Sequence, residues 1–319
     1  MSYSKAQNGN FTQLIEEGKQ FLSERSSDPG KLDLALERFT EAFNLKSNSA
    51  TANAALAETY TLFVGYAKMD VTQGLKLAKK YGKEAYNLDS DDLYVLKIWL
   101  RIMLYVDLSI LKAKKVANEI LKIAPSDVIT NWKLVELAIF EGNLEEAKQT
   151  MNRLIQEMPE SATSSRLAWH LYLLGDFSGS YDHAKKILLQ DPQHVSGHFY
   201  LSRAAAQLGE YEVAMNSLKE VGADTLNGNI ARHSEYISYV ALSGDKTRAS
   251  ELLSNLQQST RIHELFDYKL AQVYAALDQH EKCIKLLKKA IKKKETFVLQ
   301  IHQDPMFKNI PSEKLPNLN

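Results

Sequence analysis

Apolar side chains recur three and four residues apart along most of the chain, which is the spacing of an amphipathic helix. The clearest example is a pair of segments, VITNWKLVELAIFEG from Val128 and NLEEAKQTMNRLIQEMP up to Pro159. Their shared apolar stripe consists of Leu134, Val135, Ala138, Ile139, Met151, Leu154 and Ile155. Between them Gly142 can adopt a positive φ at no steric cost, and Pro159 cannot continue a helix. The pattern predicts two helices joined by a short turn.

This unit repeats through the second half of the chain. Successive predicted turns are 33, 34, 35 and 34 residues apart and lie at Gly142, Gly175, Gly209, Gly244 and Asp278. Five residues after each turn stands a small side chain, in the order Ala147, Ser180, Ala214, Ala249 and Cys283. A period near 34 with a turn and a small residue at fixed positions indicates stacked helical hairpins. We expect the small residues where the two helices of each hairpin cross.

On these residues the chain resembles the tetratricopeptide repeat (TPR). The small or apolar residue that the motif has at position 8 is matched by Val135, Ala168, Ser202, Ile237 and Ala271. Position 17 reads Leu144, Phe177, Tyr211, Lys246 and His280, and the closing prolines are Pro125, Pro159 and Pro192. The resemblance implies an all-α fold, a TPR-type right-handed superhelical solenoid of about eight helical hairpins with an irregular C-terminal cap.

The match is closest over residues 126–294, the predicted regular array. Residues 11–125 fit as elongated, divergent hairpins, with Gly18 and Ala57 at position 8 of the first two and GYAKMDVTQG as a long connection in the second. Residues 1–10 are expected to be a disordered start. Residues 295–319 form the predicted capping tail, because a stack must cover its last apolar face. Its covering side chains are expected to be Phe297, Val298, Leu299 and Ile301, followed by a short turn at HQDPMFKNI.

The order of these parts resembles a second group of proteins. An elongated first pair, regular repeats, a lysine-rich helix and a D-P-x-F phrase are found in the TPR tails of bacterial activators of the ToxR/CadC/HilA kind. Similar tails follow the catalytic domain of some adenylate cyclases. Residues 11–309 carry the likeness, and we expect no DNA-binding or cyclase domain in this chain. The resemblance implies a regulatory or sensory module that binds an effector.

In the TPR family, first helices line a concave face and contact partners through defined positions. Carried over residue by residue, the candidate partner-binding residues are Lys97, Arg101, Trp132, Glu136, Phe140, Arg166, Trp169, Tyr172, Phe199, Tyr200, Arg203, Tyr268 and Gln272. Large aromatic side chains and arginine dominate binding hot spots. A partner with an apolar side chain next to an acidic one would suit Trp169, which stands beside Arg166 and Arg203. The alternative is that Trp132 and Trp169 serve packing alone. The Lys-Asn-Asn-Lys-Arg clamp of chaperone-binding repeats does not occur at these positions.

Charge and apolar content narrow the partner classes. The formal net charge is zero, so no global field attracts nucleic acid or an anionic membrane. The most apolar stretch, residues 93–111, is interrupted by Lys97, Arg101 and Asp107, which favours a buried helix over a membrane span. The N-terminus has no apolar core of signal-peptide length. With Cys283 as the single cysteine, an intramolecular disulfide is impossible. We expect a cytoplasmic protein without membrane contact.

Catalytic and metal motifs are missing from the sequence. It contains no G-x-x-x-x-G-K, G-x-S-x-G or H-E-x-x-H phrase. His194 and His198 have the spacing of two metal ligands on one helix, but no third ligand is evident. The lysine-rich residues 285–295 suit a solvated face or, alternatively, contact with an acidic protein or nucleic acid. The leading hypothesis is a non-enzymatic scaffold without cofactor that binds a protein or peptide; the regulatory module and, remotely, a helical enzyme are the alternatives.

Overall fold

The computed structural model describes residues 2–25, 28, 30–66, 68–157, 165–262 and 265–318. Within these ranges all regular secondary structure is helical, and there is no β-strand. The prediction of an all-α fold is confirmed. Sixteen α-helices follow one another as eight pairs in the described part of the chain. The chain divides into two compact units, residues 1–130 and 131–319, which are described separately below.

The N-terminal unit contains three helical hairpins. Its helices are α1 (Ser2–Glu24), α2 (Lys31–Leu45), α3 (Ala50–Gly65), α4 (Val71–Leu88), α5 (Leu93–Tyr105) and α6 (Ile110–Ile123). The partners α1 and α2, α3 and α4, and α5 and α6 pack against each other, and α2 also contacts α3. Leu32, Phe39 and Ala42 are fully buried between them. The predicted order of pairs is therefore present in the divergent part of the chain.

Two details of this unit differ from the expectations. The phrase GYAKMDVTQG is not a long connection, because α3 continues to Gly65 and α4 begins at Val71. The side chain of Asp70 accepts a hydrogen bond from the Gln73 amide at 3.0 Å and caps α4. The extra residues lengthen the helices to 16 and 18 residues. Likewise α1 reaches back to Ser2, where a disordered start was expected; no proline precedes residue 29 to stop it.

The C-terminal unit holds the regular repeats. Its helices are α7 (Val128–Phe140), which starts just before the unit, α8 (Leu144–Glu157), α9 (Ser165–Leu173), α10 (Phe177–Gln190), α11 (Val195–Gln207), α12 (Tyr211–Glu220), α13 (Ile230–Leu242), α14 (Lys246–Gln258), α15 (Asp267–Ala276) and α16 (His280–Lys292). The first helices of successive pairs also meet, since α9 contacts α11 and α13 contacts α15. The side formed by α9, α11, α13 and α15 is called the first-helix face.

All five predicted turns adopt the left-handed conformation. The φ angles are 79° at Gly142, 79° at Gly175, 83° at Gly209, 104° at Gly244 and 59° at Asp278. At the first turn, the Asn143 amide donates to the Ala138 carbonyl at 2.9 Å, which ends α7 in a Schellman motif. The five small residues that follow the turns are all fully buried: Ala147, Ser180, Ala214, Ala249 and Cys283.

The helix crossing is directly visible at Ser180. Its hydroxyl donates a hydrogen bond of 2.8 Å from α10 to the Ala168 carbonyl of α9. Ala168 occupies position 8 of its repeat and is itself fully buried. The predicted crossing contact is therefore confirmed there. The closing proline at 159 lies outside the described residues.

The C-terminal tail covers the last hairpin. It forms short 3-10 turns at Thr296–Gln300, Pro305–Phe307 and Ser312–Lys314. Val298, Leu299 and Ile301 are at most 4% exposed, as the capping prediction requires. The Glu295 carboxylate accepts hydrogen bonds from the first amides of α15, at 3.0 Å from Asp267 and 2.9 Å from Tyr268. The tail thus caps α15 with a charge as well as with apolar area.

The apolar stretch at residues 93–111 is not one continuous helix. Helix α5 ends at Tyr105, and Leu108 has a φ of 52° in the turn that precedes α6. Most of the apolar side chains of α5, including Ile102 and Leu104, are buried in the N-terminal unit. Of the described helices, none has the length and apolar character needed to cross a bilayer.

Candidate partner-binding site

In the N-terminal unit, both predicted partner-binding residues are already paired. The Arg101 guanidinium donates to the Glu58 carboxylate at 2.8 Å, and the Tyr94 hydroxyl donates to the same carboxylate at 2.9 Å. The Lys97 ammonium lies 2.5 Å from Asp127. The side chains of Lys97 and Arg101 remain about a third exposed, at 28% and 31%. A partner would therefore compete with existing ion pairs here.

At the start of the C-terminal unit, the structure corrects the expectation for Trp132. Its side chain is 1% exposed, and its ring stacks on His170 of α9 with centroids 5.0 Å apart. The ring is therefore a packing contact between α7 and α9, as the alternative reading held. Glu136 is also buried and forms an ion pair with Lys133. Phe140 is half-buried at the end of α7.

His170 is an unusual core residue. Its Nδ1 donates a hydrogen bond of 2.7 Å to the Arg166 carbonyl, and its Nε2 has no hydrogen-bond partner among the described residues. Burial disfavours the charged imidazolium and lowers the pKa of His170 to about 4, against the opposing attraction of Glu136. The imidazole is therefore neutral at physiological pH. Arg166 itself has an exposed side chain.

Four of the predicted residues form one aromatic cluster on α9 and α11: Trp169, Tyr172, Phe199 and Tyr200. Trp169 stacks on Tyr172 at 5.9 Å and lies 6.2 Å from Tyr200, measured between ring centroids. Phe199 and Tyr200 are 5.7 Å apart. Tyr172 is buried, whereas Trp169, Phe199 and Tyr200 are half-buried. The cluster therefore presents three rings partly to solvent.

Arg203 lies among these rings. Its guanidinium carbon is 4.0 Å from the Phe199 centroid and 5.0 Å from that of Trp169. At such distances the cation is attracted by the negative ring faces. The side chain is only 8% exposed, so Arg203 supports the cluster from below. Arg203 therefore presents little of its own surface to a partner.

Beneath the aromatic cluster is a charge cluster, formed by Arg203, Glu235 and Lys269. The Glu235 carboxylate accepts from Arg203 at 2.7 Å and from Lys269 at 2.5 Å. The side chains of Glu235 and Lys269 are 6% and 2% exposed. Burial alone would raise the pKa of Glu235, but the charges of Arg203 and Lys269 outweigh it and lower that pKa to about 2. The carboxylate therefore stays ionised.

The two cations of the charge cluster respond differently to burial. Burial opposes the charge on Arg203, yet Glu235 raises the pKa of the guanidinium above its usual value. For Lys269 burial prevails, and its pKa is lowered. The forked guanidinium makes two hydrogen bonds to Glu235 and the ammonium makes one, and the nearby charge of Arg203 lowers the pKa of Lys269 further.

The remaining predicted residues, Tyr268 and Gln272, are occupied by the chain itself. The Tyr268 hydroxyl and the Gln272 side-chain amide donate to the Asp304 carboxylate at 2.6 and 2.7 Å. Tyr268 is fully buried and Gln272 is 4% exposed. Lys269 donates to Gln272 at 3.1 Å and so joins this contact to the charge cluster. The structure thus removes Tyr268 and Gln272 from the exposed surface, because the tail folds over them.

Glu235, Lys269 and Asp304 are not among the residues that the sequence predicts for the site. Glu235 and Lys269 stand two residues before Ile237 and Ala271, at the same position of consecutive repeats, and carry opposite charges. This equivalence could have predicted the Glu235–Lys269 pair, since equivalent positions of neighbouring repeats face each other in a stack. Asp304 begins the D-P-x-F phrase, which the sequence predicts as a short turn, but it lies outside the periodic segment and so has no repeat position that would indicate its partner.

The candidate metal residues serve local structure instead. His194 caps α11 by accepting the Gly197 amide at 3.0 Å, and His198 donates from Nε2 to the Pro192 carbonyl at 2.9 Å. Nowhere in the described ranges do three or more potential ligands gather around a point that could hold a metal ion. Cys283 is fully buried, and burial raises the pKa of its thiol to about 12. Such a thiol is inert.

No protein-family model and no curated protein matches the sequence. Among solved structures, the chain is similar to a tetratricopeptide repeat protein from Parabacteroides merdae, with 13% identity over 94% of this chain and 100% of that one and a TM-score of 0.36. It is also similar to PilF of Pseudomonas aeruginosa, with 17% identity, coverages of 79% and 93% and a TM-score of 0.36. A further likeness is to the Cut9–Hcn1 hetero-tetramer of the APC/C, with 14% identity, coverages of 88% and 61% and a TM-score of 0.45. The fold class rests on the helix pairs described above.

Proposed function

We propose that this protein is a non-enzymatic scaffold that binds a segment of another protein on its first-helix face, at the aromatic cluster. The observation that carries the proposal is the group of half-buried rings Trp169, Phe199 and Tyr200 around Arg203. Aromatic side chains bring large contact area at low entropic cost, which is why they dominate binding hot spots.

The cluster is held in place before any partner arrives. Glu235 fixes the Arg203 guanidinium through two hydrogen bonds, and the guanidinium in turn supports the rings of Trp169 and Phe199. A preorganised site loses less conformational entropy when it binds. The exposed Arg166 at the start of α9 offers a charge to an acidic residue next to the partner's apolar anchor.

A protein segment suits this face better than a small metabolite. The cavity beside Arg203, lined by Tyr172, Glu235, Gln272 and Met306 among others, has a volume of about 10 Å³. That is room for roughly one water molecule, whereas sites for metabolites occupy hundreds of Å³. The rings are therefore available for contact from outside but enclose no pocket at this point.

Affinity capture from native lysate tests the proposal. We compare the wild type with Trp169→Ala and with Trp99→Ala as a matched control. Trp99 is also half-buried and stacked, on Tyr86 at 5.2 Å, but it lies in the N-terminal unit and outside the proposed site. The expected result is a protein retained by the wild type and Trp99→Ala and lost, by at least about tenfold, with Trp169→Ala at unchanged helicity. Equal retention by all three chains contradicts the assignment.

A regulatory module that binds an effector is the second candidate. It is favoured by the order of parts in the sequence and by the tail, which follows the last helix and lies on the first-helix face. Saturable thermal stabilisation by a small metabolite distinguishes this candidate from the scaffold, because only a ligand that prefers the folded state raises the melting temperature.

A further inference from the structure

The segment Asp304–Phe307, called the resident segment, lies on the first-helix face in the manner of a bound peptide. Its Asp304 carboxylate is 6% exposed and accepts from Tyr268 and Gln272 of α15 at 2.6 and 2.7 Å. Its Phe307 ring is 1% exposed and meets the Tyr268 ring edge-on at 5.5 Å. A carboxylate and an aromatic ring three residues apart therefore supply its main contacts with α15.

The resident segment is attached by side chains alone. Its main-chain hydrogen bonds are local: the Asp304 amide donates to Gln300 at 2.8 Å and the Phe307 amide donates to Asp304 at 3.0 Å. The side-chain amide of Gln207 on α11 also donates a hydrogen bond of 3.6 Å to the Met306 sulfur. A turn of this kind can leave the face without breaking the main-chain hydrogen bonds of any helix.

The groups that receive the segment belong to the same polar network as the aromatic cluster. Gln272 accepts from Lys269, which is paired with Glu235, and Glu235 holds Arg203 beneath the rings. Met306 and Tyr172 line the same small cavity. A peptide seated at α15 would therefore continue directly toward the aromatic cluster.

We propose that Tyr268 and Gln272 form a recognition site for a carboxylate followed three residues later by an aromatic ring, and that the resident segment is its intramolecular occupant. A partner segment with the same pair of side chains competes for the site. The inference names the chemistry of the partner for the first-helix face and so rests on the proposed function. Because an attached occupant acts at an effective concentration in the millimolar range, competition in the wild type is weak.

Peptide binding to the full chain tests the inference. The probe is a fluorescein-labelled peptide, HQDPMFKN, and its binding is followed by anisotropy with the wild type, Asp304→Ala and the matched control Glu313→Ala. Glu313 is an exposed acid of the same tail. We expect the peptide to bind Asp304→Ala at least about tenfold more tightly than the wild type, and Glu313→Ala to match the wild type. A peptide with Asn in place of Asp should lose at least about tenfold.

Hydrogen exchange keeps the test decisive. In Asp304→Ala the amides of residues 306–310 should exchange faster, while those of α15 and α16 keep their protection; Phe307→Ala should act in the same direction. The inference is overturned if the amides of 306–310 stay protected in both variants, if the peptide binds Asp304→Ala no better than the wild type, or if the Asn peptide binds equally well. None of these readouts depends on Trp169, so failure here is separate from failure of the capture experiment.

Discussion

Each unit of the protein contains a carboxylate that accepts hydrogen bonds from two side chains of neighbouring helices. Glu58 accepts from two residues of α5, and Glu235 accepts from one residue each of α11 and α15. The two sites differ in burial. In the N-terminal unit Glu58 pairs with Arg101, and the side chains are 20% and 31% exposed. In the C-terminal unit Glu235 pairs with Arg203, and the side chains are 6% and 8% exposed. Removing the carboxylate should therefore cost far more unfolding free energy at Glu235 than at Glu58. Water can solvate the charge that loses its partner only where it can reach that charge.

The largest expected effect comes from removing each carboxylate in turn. Glu235→Ala leaves Arg203 and Lys269 buried without their counter-ion and should lower the free energy of unfolding by about 3–5 kcal/mol. Glu58→Ala should cost about 1 kcal/mol or less, because Arg101 is solvated. Urea unfolding followed by tryptophan fluorescence checks both, with Trp99 reporting on the N-terminal unit and Trp132 and Trp169 on the other. Equal losses for the two variants would show that burial does not separate the sites.

The next effect is a pH dependence that should be largest in the C-terminal unit. All eight histidines lie beyond residue 130, and the pKa of His170 is lowered from 6.5 to about 4 by burial. Between pH 6.5 and about pH 4, His170 therefore binds a proton in the unfolded chain but not in the folded chain. The free energy of unfolding is therefore unaffected by His170 above about pH 6.5 and decreases as the pH falls toward 4.

The size of this pH effect follows from the shift. Between pH 7 and 4 the C-terminal unit should lose roughly 3 kcal/mol through His170. Unfolding curves of the wild type and of His170→Phe, which keeps a ring against Trp132, measure the difference at each pH. A variant whose stability falls as steeply as that of the wild type over this range would rule out His170 as the cause.

The smallest expected loss of stability comes from replacing one glycine in each unit by alanine. Gly18 is crowded by a side chain, whereas Gly209 has a positive φ. In α1 a Cβ on Gly18 would lie 2.3 Å from a ring carbon of the fully buried Phe39. Gly18→Ala should therefore overpack the hairpin and cost about 1–3 kcal/mol. At Gly209 nothing lies within 4 Å, but φ is +83°, so Gly209→Ala should cost about 1 kcal/mol through backbone strain.

A second substitution separates the two causes. Phe39→Leu should recover part of the loss from Gly18→Ala, because it removes the ring that the new methyl group meets. For Gly209→Ala no neighbouring side chain is available to relieve the strain, since the backbone itself is constrained. Thermal melts of the single and double variants give the coupling free energy. An absence of coupling between positions 18 and 39 would refute the packing explanation.

The turns of the periodic half were predictable to the residue. Turns at Gly142 and Asp278, although formed by different amino acids, both adopt positive φ, and the small residues that follow them are buried. These features depend on local backbone geometry, which a sequence displays directly. The second hairpin was misjudged because the same number of extra residues can lengthen a loop or two helices, and only the Asp70 cap decides between them.

The candidate site was predictable in part. Position in the repeat correctly brought Trp169, Tyr172 and Phe199 together on neighbouring first helices. It did not reveal that Trp132 packs on His170 or that the tail covers Tyr268. A repeat position states which face a residue occupies, but it does not state what else lies on that face.

The sequence by itself determined the helix pairs, their period, their turns and their crossing residues, because each follows from chain geometry over a few residues. Tertiary structure alone decided which polar groups are satisfied and which rings stay exposed. Arg203 and Glu235 are 32 residues apart, and Tyr268 and Asp304 are 36 apart. The interaction free energy of such a pair depends on its burial and on the distance between its two groups. Residue types alone determine neither quantity.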